Sequence, residues 1–254
     1  MADPRRKRRW RVARRGFGLL FLIGALCVGA LACPETAFAY HTSYRQFEVW
    51  SDRPIDGAIT SIIDDTTRRL QRSELYTPDL QFRVFLCNST WRLGLYGLFQ
   101  TGVGGITYPW LTSNIYIRAA DIAENRILPP HPGPIADAEH RPLSYFIAHE
   151  ATHIMQSRAF GRLFALRYPE WLNEGYADYV GKGGDFDLGE NLDLLKAGNP
   201  ALDYARSGLY RGYHLEVAWL LDRQGRSIRS VYADPPSEVG LIEALKRGEG
   251  TVPG

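Results

Sequence analysis

The sequence predicts an α+β fold in which a small N-terminal mixed sheet precedes a mainly helical C-terminal part. Short runs of alternating or β-branched residues, which are typical of strands, lie before residue 119. After Pro142, apolar residues recur with helical spacing instead. No internal repeat or long low-complexity linker divides residues 40–254, so this part of the chain suits a single domain with a substantial core.

The charge of the chain is distributed unevenly. The 254 residues contain 30 Lys and Arg against 28 Asp and Glu, a net charge of +2. Eight of the basic residues lie between residues 5 and 15, whereas residues 40–254 carry 22 basic and 26 acidic residues, a net charge of −4. A nucleic-acid-binding domain needs positive charge in its folded part, so we expect no nucleic-acid partner.

The N-terminal segment has the three parts of an export signal. The basic cluster is followed by an uncharged apolar run, Gly16 to Ala32, and then by Ala37-Phe38-Ala39, a small-x-small cleavage pattern. Residues 1–39 are therefore predicted to be an export signal peptide or an N-terminal membrane anchor, with cleavage after Ala39 as the favoured outcome. Residues 40–254 would then act outside the cytoplasm, in the periplasm or cell envelope or as a secreted protein.

Three variants of this signal remain open. Ala30-Leu31-Ala32-Cys33 resembles a lipoprotein site, and Arg14-Arg15 matches part of a twin-arginine signal. The apolar run of residues 16–32 could also remain as a membrane tether, because its 17 residues lie at the short end of what spans a bilayer. Each variant leads to export of the domain.

The first part of the domain contains three predicted strands and one predicted helix. The expected strands are residues 47–50, 81–87 and 114–118, and apolar residues at helical spacing predict a helix over 59–75. The Gly-rich stretch of residues 102–105 lacks the strand-turn-helix setting and the lysine of a phosphate-binding loop, so it is predicted to be a mobile loop.

Helices dominate from Pro142 onward. Proline is favoured at a helix start, and an apolar stripe that includes Phe146, Ile147 and Ile154 predicts a long helix from Pro142. Further helices are expected at about 170–181, 208–224 and 237–247.

The long helix carries a pattern suited to metal chemistry, His149-Glu150-Ala151-Thr152-His153. Residues four apart lie on one helix face, so the two imidazoles can converge on one ion. Glu150 is rotated by about 100° from His149 and can approach a water on that ion. A catalytic zinc normally has three protein ligands, so a third must come from elsewhere in the chain.

Glu174 is the best candidate for the third ligand. It follows His153 by 21 residues, which is long enough for the first helix to end, a turn to form and a second helix to face the first. Asp178 lies one turn after Glu174. It is expected to accept the outward N–H of a metal-bound imidazole, which would fix the tautomer of the ring.

These residues resemble the gluzincin metallopeptidases, the HExxH enzymes of the MA type whose third zinc ligand is a glutamate on a following helix. Residues 171–178, WLNEGYAD, are similar to a stretch of the aminopeptidase N family, and Asn173-Glu174 with Asp178 is similar to the NExxxD pattern of the thermolysin family. The resemblance covers roughly residues 142–225. It implies a zincin-like fold with a gluzincin-like metallopeptidase domain over residues 40–254.

The resemblance also implies a role for each matched residue. His149, His153 and Glu174 would bind one Zn²⁺ per chain, and Glu150 would be the catalytic base. Asp178 and Asn173 would hold the ligands in place without binding the ion. Three residues are candidates for stabilising the oxyanion. Tyr213 resembles a tyrosine of aminopeptidase N relatives, His214 could act as the histidine of thermolysin-like enzymes does, and Tyr210 is the further alternative.

The implied activity is zinc-dependent hydrolysis of a peptide bond in a peptide or protein substrate. An endopeptidase is favoured, because no GxMEN-like stretch for holding a substrate amine is present. By the resemblance, the strand of residues 114–118 would be the sheet edge along which an extended substrate pairs. The alternative is an exported, non-catalytic binding module that retains the zinc fold.

Overall fold

A computed structural model describes residues 4–129 and 141–248, with only the backbone of residues 4–9, 11–13 and 15. The fold is mixed, with helices and a small mixed sheet, as the sequence predicts. The strands are β1 (Tyr40–Tyr44), β2 (Phe47–Ser51), β3 (Phe82–Cys87), β4 (Gly105–Thr107), β5 (Asn114–Arg118), β6 (Ala120–Asp121) and β7 (Arg126–Ile127).

Helices precede, interrupt and follow the sheet. They are α1 (Pro4–Ala32), α2 (Ile59–Leu70), α3 (Thr90–Tyr96), α4 (Leu143–Phe160), α5 (Phe164–Arg167), α6 (Glu170–Lys182), α7 (Leu188–Lys196), α8 (Tyr204–Ser207), α9 (Arg211–Ala218), α10 (Ile228–Ala233) and α11 (Glu238–Arg247). Short 3₁₀ turns cover Glu35–Ala37 and Pro200–Leu202, and a π-helical turn, Trp219–Arg223, continues α9.

Within residues 4–129 and 141–248, the main sheet has five strands in the order β1-β2-β3-β5-β4. The three central strands run parallel, and the edge strands β1 and β4 are antiparallel to their neighbours. All five residues of β5 are buried, as expected for a central strand covered on both faces. The prediction that residues 114–118 form the sheet edge is therefore wrong, because β4 pairs outside them.

The two faces of the sheet pack against different partners. One face joins the main core with α2, α4 and α6, and fourteen consecutive residues of α4, 143–156, are buried there. An apolar stripe alone would bury only one side of α4. Instead α4 lies between the sheet, α2 and α6, which explains why the helix is buried on all sides.

The other face of the sheet carries a second apolar group, which we call the outer cluster. It comprises Leu31, Phe38, Trp50, Phe85, Cys87, Leu93, Tyr96, Tyr108 and Tyr116. Two of these residues, Leu31 and Phe38, belong to the predicted signal region. Among the described residues, no helix has the length and apolar character needed to cross a membrane.

Most predicted elements are confirmed, with shifted ends. The predicted helix from Ile59 ends at Leu70, and the predicted helix of residues 208–224 is divided into α9 and the π-helical turn. Strand β1 was not predicted, because its residues alternate weakly in hydropathy and are mostly exposed. The Gly-rich stretch of residues 102–105 is predicted to be a loop, but its last residue, Gly105, begins strand β4.

Candidate metal centre

Helices α4 and α6 position the predicted metal ligands by packing antiparallel. Tyr145, near the start of α4, contacts Asp178, near the end of α6. Gln156, near the end of α4, contacts Asn173, near the start of α6. His149, His153 and Glu174 lie between these two contacts, so that the three side chains face one another across the helix pair.

The three donor groups have the spacing of a metal site. Oε2 of Glu174 lies 3.2 Å from Nε2 of His149 and 3.6 Å from Nε2 of His153. One potential ligand atom from each residue lies within 4.8 Å of the others. Bonds of about 2.0–2.1 Å at a tetrahedral angle place zinc ligands roughly 3.3 Å apart, so these residues fit the ion.

The centre also favours positive charge. Burial lowers the pKa of His153, but the carboxylate of Glu174 more than offsets this and raises that pKa to about 9. Burial likewise raises the pKa of Glu174, but the two histidines outweigh it and hold the pKa well below its usual range. A carboxylate that raises the pKa of a neighbouring imidazole also favours a metal cation between the two groups.

Glu150 lies beside the ligands rather than among them. Its side chain is buried, and burial raises the pKa of its carboxyl group, with nearby histidines opposing the shift. The strand β4 forms one wall next to it: a Cβ added to Gly105 would lie 2.8 Å from Cγ of Glu150. Glycine at this position therefore allows the backbone of β4 to approach the predicted base closely.

A hydrogen bond within α4 fixes the orientation of His153. Nδ1 of His153 lies 2.8 Å from Oε1 of Gln156, while the Gln156 amide nitrogen donates to the main-chain carbonyl of Asn173 at 2.9 Å. Because that amide nitrogen is engaged as a donor, Oε1 faces the ring as the acceptor. His153 must then carry its proton on Nδ1 and present Nε2 to the metal position.

Tyr232 extends this contact into a buried network. Nε2 of Gln156 donates to the hydroxyl of Tyr232 at 2.7 Å, and that hydroxyl donates to Oδ1 of Asn173 at 2.9 Å. Gln156, Asn173 and Tyr232 are all at least 96% buried. Asn173 therefore contacts Gln156 and Tyr232 and, among the described contacts, none of the three predicted ligands, so its supporting role stays a prediction.

The structure differs from the expected contact of Asp178. Its carboxylate accepts a hydrogen bond from the Tyr145 hydroxyl at 2.5 Å and pairs with Nδ1 of His214 at 2.8 Å. Among the described residues, the carboxylate of Asp178 bonds to neither His149 nor His153, and Nδ1 of His149 is buried without a hydrogen-bond partner. Asp178 lies one turn after Glu174 on α6, and Tyr145 lies one turn before His149 on α4. Because the two helices are antiparallel, these two residues face each other.

The three oxyanion candidates occupy different environments. The ring of Tyr210 stacks on that of His149 with 5.6 Å between centroids, and its side chain lines the cleft beside the metal site. His214 instead is buried against Phe186 and bonded to Asp178, away from the cleft lining. Tyr213 is also absent from that lining, so of the three candidates the structure places Tyr210 in the cleft.

The centre lies in a cleft of about 860 Å³. Its lining includes the edge strand β4, the aromatic rings of Phe146 and Phe164, and the side chain of Tyr204, which stacks on Tyr210 at 4.9 Å. Among the described residues, strand β4 pairs with β5 on one side and with no strand on the other. An extended chain in the cleft could therefore pair with β4.

Three residues at or near the site were not predicted: Gln156, Tyr232 and Tyr204. Gln156 could have been found, because it follows His153 by three residues and so lies on the same helix face. No local signal could have identified Tyr232, which follows Gln156 by 76 residues and reaches it only through the packing of α10.

Comparison with protein-family models, with curated protein sequences and with solved structures finds no match to the chain.

Proposed function

We propose that this protein is a zinc-dependent peptidase of the gluzincin type with a zincin-like fold, and that it acts outside the cytoplasm. One observation carries the proposal: both histidine Nε2 atoms face the same carboxylate oxygen of Glu174, and Glu150 lies next to them in a cleft. A structural zinc site is normally closed by four Cys or His ligands, whereas this donor set leaves a position for water.

Each residue has a defined role in the proposed reaction. Bound zinc would polarise the substrate carbonyl and acidify a water molecule. Glu150 accepts the proton of the attacking water and then donates it to the leaving amine, so its own charge is restored at the end of the cycle. The raised pKa of Glu150 brings it closer to the range in which a carboxyl group both accepts and releases protons near neutrality.

Tyr210 is the proposed oxyanion donor. Its ring lies against His149 and its hydroxyl is not ionised, because burial and the nearby Glu174 carboxylate raise its pKa far above the usual range. A neutral hydroxyl can donate a hydrogen bond to the carbonyl oxygen as negative charge develops there.

The substrate is proposed to be an extended peptide that pairs with β4. Backbone pairing along a strand recognises the main chain more than the side chains. An endopeptidase fits this mode better than an aminopeptidase, since the sequence lacks a GxMEN-like stretch. The alternative proposal is an exported, non-catalytic zinc-fold module that binds a peptide or protein in the same cleft.

The Glu150→Gln variant tests the proposal. The change keeps the size of the side chain and removes its capacity as a base. We expect the wild type to hold about one zinc per chain by elemental mass spectrometry and to cleave internally quenched peptides, and the variant to keep its zinc but lose turnover. Glu174→Ala is the control for site identity and should lose zinc. Wild-type activity in Glu150→Gln would refute the mechanism, and zinc without cleavage would favour the binding module.

A further inference from the structure

Residues 31–38 form part of the folded domain, although they precede the predicted cleavage site. Leu31 and Phe38 are 5% and 6% exposed within the outer cluster. The Phe38 ring packs on Phe85 and Tyr96, with centroids 5.2 and 5.5 Å apart. Together with α3, this segment covers the sheet face opposite the metal centre.

Polar contacts also hold this segment in place. The main-chain carbonyl of Leu31 accepts hydrogen bonds from Nδ2 of Asn114 at 2.8 Å and from the Tyr116 hydroxyl at 2.6 Å. Both donors belong to the central strand β5 and are at least 99% buried. Without Leu31, each buried donor would lose this acceptor, which is costly inside a protein.

A second set of contacts lies nearer the predicted cleavage site. Nε of Arg92, on α3, donates to the main-chain carbonyl of Ala37 at 3.0 Å. Glu35 forms an ion pair with Arg83 of β3. Cleavage after Ala39 would remove all of these partners and expose Phe85, Tyr96 and Tyr116 to water.

Helix α1 leads directly into this segment, and its apolar residues contact little of the domain. Seven large apolar side chains of α1 between residues 17 and 26, among them Phe17, Leu20 and Phe21, are each 49–79% exposed. The uncharged run follows the eight basic residues of 5–15. An apolar stretch beside a basic cluster complements a lipid surface with anionic headgroups.

We propose that the chain is not cleaved after Ala39: residues 31–39 remain as the cover of the outer cluster, and the retained helix α1 attaches the domain to an anionic lipid surface. This proposal does not depend on the metal centre or on peptidase activity. It replaces the favoured expectation of a released domain that begins at Tyr40.

The N-terminus of the full chain, exported from a bacterial host and purified by a C-terminal tag, tests retention. We expect intact mass spectrometry to find an N-terminus before Leu31. An N-terminus at Tyr40 would overturn the proposal. As a stability measurement, Phe38→Ser should lower the melting temperature of the full chain by roughly 5 °C or more, whereas Thr36→Ser, at an exposed position, should not. Equal melting temperatures of the two variants would also overturn it.

Lipid attachment is tested with the full chain and two kinds of vesicle. We expect co-sedimentation with vesicles of phosphatidylcholine and phosphatidylglycerol, and at least tenfold weaker binding to phosphatidylcholine alone. Equal binding to both would overturn the assignment of anionic lipid, and binding to neither would overturn the attachment. Glu150→Gln should bind vesicles as the wild type does, so a failed peptidase assay and a failed lipid assay remain distinguishable.

Discussion

Replacing Gln156 by leucine should weaken zinc binding without removing a ligand. The change retains the approximate size of the side chain but removes the acceptor that lies 2.8 Å from Nδ1 of His153. Loss of an outer hydrogen bond to a ligand histidine typically costs 10–100-fold in metal affinity, which corresponds to about 1.4–2.7 kcal/mol. The ring then loses the contact that fixes its tautomer and its direction toward Glu174.

The same substitution should also destabilise the metal-free protein. Gln156 donates to the Asn173 carbonyl and to the Tyr232 hydroxyl, both in the buried core. Leaving such groups without a partner costs about 1–3 kcal/mol each. Because Tyr232 still donates to Asn173, we expect a loss at the lower end of the combined range, about 2 kcal/mol, in urea unfolding.

Two further variants separate the effects on the metal from the effects on stability. Gln156→Glu keeps an acceptor for His153 but cannot donate to Asn173, so zinc affinity should be largely retained while stability falls. Tyr232→Phe removes a more distant hydroxyl and should change affinity less than threefold. Zinc affinity is measured by competition with a chromophoric chelator at fixed pH. An unchanged affinity in a folded Gln156→Leu protein would refute the proposed role of this hydrogen bond.

Three other changes have defined outcomes. Tyr210→Phe should lower kcat by about 100-fold or more with zinc content unchanged; normal turnover would exclude Tyr210 as the oxyanion donor. Gly175→Ala should destabilise the fold by about 1–3 kcal/mol in urea unfolding, because its Cβ would lie 2.4 Å from the Tyr213 carbonyl oxygen where α6 packs on α9. Burial raises the pKa of Asp178, but the hydrogen bond and charge of His214 outweigh it and hold that pKa below its usual value. Asp178 therefore stabilises the fold above its unfolded pKa near 3.9, and this contribution disappears as the pH falls through the lower folded value. Asp178→Asn should make unfolding free energy less dependent on pH between 5 and 3, and an unaltered acid dependence would contradict this.

The elements with strong local patterns were predictable. Strand β5 has the predicted bounds, and α6 and α11 match their predictions to within one residue, because burial of alternating or helically spaced apolar residues is encoded in a short window. Strand β4 was missed because it has three residues and includes a glycine, and it is held in the sheet only by pairing with β5. Which strand forms the sheet edge therefore depended on long-range pairing.

Within the candidate site, Glu174 and Asp178 also show that local sequence patterns do not specify the contacts between elements. Helical periodicity places both residues on one side of α6, but it does not specify which part of α4 each one meets. Glu174 meets the two histidines as expected, whereas the antiparallel packing of the helices brings Asp178 to Tyr145 and His214.

The sequence by itself determined the helix with its paired histidines and the adjacent glutamate, because spacing along a helix sets the directions of its own side chains. Only the tertiary structure decided the contacts between elements. It joined Gln156 to Asn173 and Tyr232, brought Tyr210 rather than Tyr213 or His214 to the cleft, and packed Phe38 onto the sheet. These contacts join residues that are distant in sequence or near the ends of helices, so they follow from how the helices and the sheet pack together and not from local patterns.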